Sequence, residues 1–215
     1  MNSLEHIPRR ILSVVGPHSN CGKTLFVLHL LRRFAGLGCL KISPAVGRAA
    51  TSSGITADSV PEFHFENDAC LDRLNSDTAQ YRAAGAAAVE RLRHRGRGLS
   101  TGLVAAFNRF PANMPLIVES SSAVPLLKPA AVVLVIRPPV KEMKPATCAI
   151  LNHVTDLLVN AAKEDADSEA ATVERTIRQL PDATLRCVWR TDLGCAPLPA
   201  TLIERLGDIL GAELR

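Results

Sequence analysis

One stretch constrains this chain more than any other. An apolar run, Ile11-Leu12-Ser13-Val14-Val15, enters a loop bounded by Gly16 and Gly22 and leaves through Lys23-Thr24 into an amphipathic segment, Leu25 to Phe34. A buried strand, a glycine-bounded turn and a helix in that order form a phosphate loop. Gly16 and Gly22 let the backbone bend around an anion with no Cβ in the way. The N–H groups of Ser19, Asn20, Cys21, Gly22, Lys23, Thr24 and Leu25 then converge on the helix N-terminus, where the helix dipole favours negative charge. Lys23 supplies a mobile full charge for the terminal phosphates, and the Thr24 hydroxyl is suited to ligate Mg²⁺. Five residues separate Gly16 from Gly22 where the common pattern has four, so the loop is a long variant.

The rest of the chain reads as aliphatic strands alternating with helices. That order predicts an α/β fold: a mostly parallel sheet with helices on both faces, the three-layer sandwich of P-loop NTPases. At 215 residues and 23.1 kDa, residues 1–215 are expected to form a single nucleotide-binding domain. No apolar run approaches the ~18 residues of a membrane span, and Met1 to Arg10 has no apolar signal core, so a cytoplasmic location is expected and no membrane partner. Net charge is only +4 and aromatic residues make up 4% of the chain, which argues against nucleic acid as a partner. The six cysteines, at 21, 39, 70, 148, 187 and 195, stand singly, with no C-x-x-C pair; they read as reduced thiols, Cys21 being the one inside the loop.

A second chemically loaded stretch is Pro115-Leu116-Ile117-Val118-Glu119-Ser120-Ser121-Ser122. An aliphatic strand that ends in an acid puts Glu119 at the carboxyl end of the sheet, where open α/β sheets bind ligands and an acid can hold Mg²⁺. Asp68 and Asp77 are the further metal candidates. Cys39 to Ser43 reads as a short strand, and residues 44–66 as a long polar connection, either a switch-like or substrate-covering element or plain disorder. Arg91, Arg93, Arg95 and Arg97 alternate with other residues; a strand would align them on one face, and a solvated surface is the simpler reading. Helices are expected over Leu99–Phe110, Lys144–Val154, Ser168–Leu180 and Leu198–Leu214. Strands are expected over Ala130–Ile136, Asp156–Ala162 and Ala183–Thr191.

The phosphate loop together with His64, Asp68, Asp77-Thr78, Arg82 and Gly85-Ala86 resembles the molybdopterin-guanine dinucleotide biosynthesis protein B family, over residues 10–165. The long loop also occurs in the related dethiobiotin and cobyrinic acid synthetases. The chain departs from the first family where Lys41-Ile42-Ser43-Pro44 replaces Lys-His, and where Glu119-Ser120 replaces Glu-Gly. The resemblance implies GTP as the purine nucleoside triphosphate, Mg²⁺ as cofactor and molybdenum cofactor maturation as the process. It also implies that Asn160, at the end of a late strand, meets the purine base. Lys163 and Asp165 follow as a stretched form of the Asn-Lys-x-Asp guanine signature, with two extra residues. No side chain stands out as the group that orients an attacking water, so GTP hydrolysis would be slow or partner-dependent. Two alternatives stay open: an ATP-dependent ligase of the dethiobiotin type, with Lys41 and Ser120 to Ser122 near its second substrate, and a nucleotide-binding adaptor for a metalloenzyme. A homodimer is compatible with all three.

Overall fold

The computed structural model describes residues 10–45, 62–66, 76–140, 142–161, 166–180 and 184–215. Asp68, Lys163, Asp165 and most of the 44–66 connection lie outside the described residues.

The chain opens with β1 (Ile11–Val15), α1 (Lys23–Arg33), β2 (Gly38–Pro44) and β3 (Phe63–Phe65). It continues through α2 (Asp77–Ala83), β4 (Ala88–His94), α3 (Gly98–Phe107), β5 (Leu116–Glu119), α4 (Val124–Leu127) and β6 (Ala131–Ile136). The last part comprises α5 (Pro145–Cys148), β7 (Asp156–Asn160), α6 (Ala166–Gln179), β8 (Cys187–Thr191) and α7 (Ala200–Leu210). All eight strands join one sheet in the order β3-β4-β2-β5-β1-β6-β7-β8. Seven of them run parallel, and β3 pairs antiparallel with β4 at the edge.

The central strands are aliphatic at consecutive positions because both faces are covered. Leu12, Val14, Ile117, Val133, Val135 and Leu158 pack on one side with Phe26, Leu30 and Leu31 of α1 and Leu202, Leu206 and Leu210 of α7. Their neighbours point the other way. Ile11, Leu116 and Val118 meet Leu99, Leu103 and Phe107 of α3, while Val132, Leu134, Leu157 and Val159 meet Val173 and Ile177 of α6. The period-two alternation thus divides the apolar residues between two helical layers, as the three-layer expectation requires.

Several local expectations need correction. The segment Lys144–Val154 is a single turn, α5, followed by a 3₁₀ turn, Leu151–His153, and not a continuous helix. Tertiary contacts explain the break: Thr147 is fully buried and its hydroxyl donates to Gly16 O at 2.9 Å, while Ile150 turns into the core behind β6 and β7. The closing helix is shorter than Leu198–Leu214, starting after Pro199 and stopping at Gly211, which adopts φ 55°. The alternating arginines do lie on a strand as far as Arg93, yet Arg91 and Arg93 are not solvated surface. Both pair with Glu66, at 3.4 and 2.6 Å, at 17% and 27% side-chain exposure. The resemblance residue His64 sits on β3, and Gly85, at φ 98°, follows α2.

Candidate functional site

The phosphate loop hangs from the carboxyl end of β1, between β5 and β6. Two residues of the loop take left-handed backbone conformations, Asn20 at φ 63° and Gly22 at φ 105°. Gly22 is required twice over: a Cβ there would adopt a strained φ and would lie 2.5 Å from Asn160 Nδ2. No side chain caps the start of α1 and no acid occupies its first turn, so its leading N–H groups stay available to an anion. Leu25 is exposed in that first turn. Lys23 lies across its own loop, donating to His18 O at 2.8 Å and to Cys21 Sγ at 3.4 Å. Cys21 is buried, and its thiol donates to His18 O at 3.4 Å.

Asn160 lies beneath the loop, 6% exposed. Its Nδ2 donates to Cys21 O at 3.2 Å, and its Oδ1 accepts from the Leu193 N–H at 3.0 Å. The amide therefore ties the loop to the segment after β8 and retains one N–H and one lone pair for a further partner.

Glu119 ends β5, as expected, and meets residues that sequence reading did not bring together. Lys41 and Glu119 are direct Cα partners across the β2–β5 pairing, so their side chains leave the sheet side by side. Lys41 Nζ donates to both Glu119 oxygens, at 3.3 and 3.2 Å, and to Asp77 Oδ2. Thr24 Oγ1 donates to Asp77 Oδ1 at 3.1 Å, and the buried Tyr81 hydroxyl donates to Glu119 Oε2. Asp77 enters at the head of α2, which Ser76 caps by accepting from the Ala79 N–H.

The electrostatics follow from this packing. Burial pushes the Asp77 carboxyl up, but the hydrogen bond and charge of Lys41, helped by Thr24 and Arg91, outweigh it and hold it below its ordinary range. Burial, then the Glu119 charge, raises the Tyr81 phenol and the Cys39 thiol, so both stay protonated. Asp77 and Glu119 present hard oxygen donors around a seated cation, the Lys41 ammonium, with the Thr24 hydroxyl beside them on Asp77, and that donor set suits Mg²⁺. No group of three or more His, Cys, Asp or Glu side chains converges among the described residues. A Mg²⁺ ion here would complete its shell with phosphate oxygens and water, as is usual for it.

These residues line a cavity of about 460 Å³ that runs from Gly16, Asn20 and Lys23 across the carboxyl ends of β5, β2 and β4. Its far wall contains Ser43 and His94. Among the described residues, the buried Ser43 hydroxyl and both His94 ring nitrogens have no hydrogen-bond partner. Burial lowers the His94 pKa, keeping the ring neutral. Neither residue had a sequence signal, because their significance depends on β4 lying beside β2.

No protein-family model matches the chain, and no curated protein matches it. Among solved structures it is similar to the hydrogenase maturation factor HypB from Archaeoglobus fulgidus, with a TM-score of 0.55 and 14% identity over 96% of this chain and 93% of that one. At that identity the likeness concerns the fold. With the loop geometry, the fold is a P-loop α/β domain, and no helix among the described residues is long and apolar enough to cross a membrane.

Proposed function

We propose that the chain binds a Mg²⁺-complexed purine nucleoside triphosphate, GTP in preference to ATP, and hydrolyses it slowly or with the help of a partner. The observation that carries this reading is the meeting of Asp77 and Glu119 around one cation at the foot of the phosphate loop, with the Thr24 hydroxyl bonded to Asp77. The loop amides from Ser19 to Leu25 would hold the phosphates, with Lys23 released from His18 O to add its charge. Bound Mg²⁺ would neutralise phosphate charge and orient the terminal phosphate. Thr24, Asp77 and Glu119 are the residues that would hold it. The spare N–H and lone pair of Asn160 would face the purine, since β7 lies on the opposite side of β1 from the metal candidates.

The preference for GTP and a place in molybdenum cofactor maturation rest on the resemblance of the loop and of the Asp77-Thr78 to Gly85-Ala86 stretch. Cytoplasmic location belongs to the same reading. Lys23→Ala tests its foundation. The variant should keep its circular dichroism and lose triphosphate affinity by more than about a hundredfold in a calorimetric titration. Unchanged affinity in a folded variant would remove the phosphate-loop assignment.

A second reading draws on a different observation. The cavity continues beyond the loop to the unpartnered His94 and Ser43, two to three strands from β1, a lateral distance of about 10–14 Å. Space and polar capacity on that side suit a second small molecule, as a ligase of the dethiobiotin type requires. Nucleotide turnover that depends on a small carboxylate or amine would favour this reading over GTP hydrolysis.

A further inference from the structure

The Lys41 ammonium sits where the two candidate metal carboxylates converge. Each of the four carboxylate oxygens there already has a donor. Asp77 Oδ1 has Thr24, Asp77 Oδ2 has Lys41, Glu119 Oε1 has Lys41, and Glu119 Oε2 has Lys41 and Tyr81. Lys41 and Glu119 are largely withdrawn from water, at 13% and 7% exposure, while Asp77 is 34% exposed on the open side of the cluster. Lys41 is held there by backbone register as well as by charge, because its Cα partner in β5 is Glu119 itself. The ammonium occupies one acceptor site on three of these oxygens and opposes a divalent ion there by like charge.

We propose that Lys41 is an internal competitor for the metal: it keeps divalent ions off Asp77 and Glu119 until a triphosphate arrives, so that metal and nucleotide bind cooperatively and metal does not enter first. The inference rests on the phosphate-site reading above and adds a binding order to it. Its physical basis is the cost of leaving a half-buried ammonium unpaired, which is large once its carboxylates are taken. Among the described residues the cavity walls offer no replacement anion, since the other charged groups lining it are Lys23 and Lys144. A triphosphate brings several negative charges into the same cavity and gives the displaced ammonium a new partner. Metal then strengthens nucleotide binding, and nucleotide strengthens metal binding by the same factor. A lysine suits the role because it carries a compact charge on a flexible stem; a forked guanidinium would hold both carboxylates bidentately and resist displacement.

The test uses the full chain without nucleotide. Binding of Mn²⁺ is followed by the loss of its free-ion electron paramagnetic resonance signal, and the melting temperature is compared in Mg²⁺ and in chelator. Wild type should bind Mn²⁺ weakly and melt at the same temperature in both. Lys41→Met should bind Mn²⁺ about a hundredfold more tightly and gain thermal stability from Mg²⁺ alone, the size expected when a buried charge is left without its partner. Lys41→Arg should behave as wild type. Should Lys41→Met fail to fold, Lys41→Gln, which keeps a neutral donor, is measured in the same way. Nucleotide-free metal affinity that is unchanged in the neutral variants would overturn the proposal. So would wild-type Mn²⁺ binding that is equally tight with and without a triphosphate analogue. Lys23→Ala, measured alongside, reports on triphosphate binding and leaves the nucleotide-free metal reading intact, so failure of either conclusion is seen separately.

Discussion

The sheet carries two buried carboxylate–cation assemblies, at opposite ends of its strands, and they are built differently. At the amino end of β7, Asp156 is fully buried and gripped by the Arg205 guanidinium, with Nε to Oδ1 at 2.6 Å and Nη2 to Oδ2 at 3.0 Å. Thr155 Oγ1 donates to the same carboxylate at 2.6 Å, and Trp189 Nε1 lies at 3.5 Å. At the carboxyl end of β2 and β5, Asp77 and Glu119 share one lysine and open onto the 460 Å³ cavity. Arginine's planar fork fixes a carboxylate in two bonds, whereas lysine offers a point charge that can be exchanged. The Asp156 assembly lies away from the cavity lining and serves to lock α7 onto the sheet. The Asp77–Glu119 assembly lies where α/β sheets bind ligands. Burial of an acid such as Asp156 or Glu119 is therefore no guide to its role; the identity of its cation and its access to a cavity are.

Substitutions on the two sides should separate stability from binding. Arg205→Ala leaves Asp156 buried and uncompensated and should cost about 3–5 kcal/mol of stability in urea unfolding. Triphosphate affinity of the folded variant should be unchanged. A comparable loss of affinity would mean that the two assemblies are coupled. On the cavity side, Glu119→Gln keeps the size of the side chain and removes its charge. It should weaken triphosphate binding about tenfold in Mg²⁺, with little change in chelator, the scale of one charged contact. Equal losses in both conditions would deny Glu119 a metal role.

Asn160→Ala removes the tie from Cys21 O to the Leu193 N–H. Each bond is worth about 0.5–1.5 kcal/mol, so a small stability loss should accompany loss of a GTP preference that is itself about tenfold or less. Competition between labelled nucleotides measures the preference, and tighter ATP binding in wild type would refute the guanine reading. The smallest effect concerns pH. Asp77 is held below its ordinary value of 3.8 when folded, so its stabilising contribution is complete above that value and drains away as pH falls through the lower folded value. Asp77→Asn should therefore show a flatter loss of stability as pH falls below 3.8; an acid limb identical to wild type would show that the Lys41 and Thr24 contacts carry no net stabilisation.

The parts of the site that a local pattern encodes were legible. Ile11 to Val15, the two glycines and Lys23-Thr24 specify strand, turn and helix within one short stretch, and Leu116 to Glu119 reads as a buried strand with a terminal acid. Asp77 was legible as a further metal candidate and as a residue of the resemblance, but not as a partner of Lys41. The seven-residue α2 that carries it is too short to show a helical period, although Ser76 at its N-cap was a usable signal. Lys41 reads as a second-substrate candidate of the ligase alternative, but its contact with Glu119 was not legible because it depends on β5 pairing beside β2, a fact of sheet order and not of sequence neighbourhood. The same holds for Glu66 meeting Arg91 and Arg93, since β3 is three residues long and antiparallel, and for Asn160 reaching the loop at Cys21. Helix Lys144–Val154 was misjudged for the opposite reason: its local pattern was helical, and a tertiary bond from Thr147 to Gly16 prevailed.

The direct alignment of Lys41 with Glu119 has a consequence for how the chain becomes active. The two residues are separated by 78 positions in sequence, so their pairing closes a long loop and belongs to the slow, non-local part of folding. The phosphate loop, by contrast, is encoded within one strand–turn–helix unit. A nascent or partly unfolded chain can thus carry a formed turn with no metal carboxylates beside it, and full competence arrives only when β2 and β5 are neighbours. Under the proposed function, nucleotide with metal would bind the completed sheet in preference to its precursors, making the ligand a selector of correctly assembled molecules.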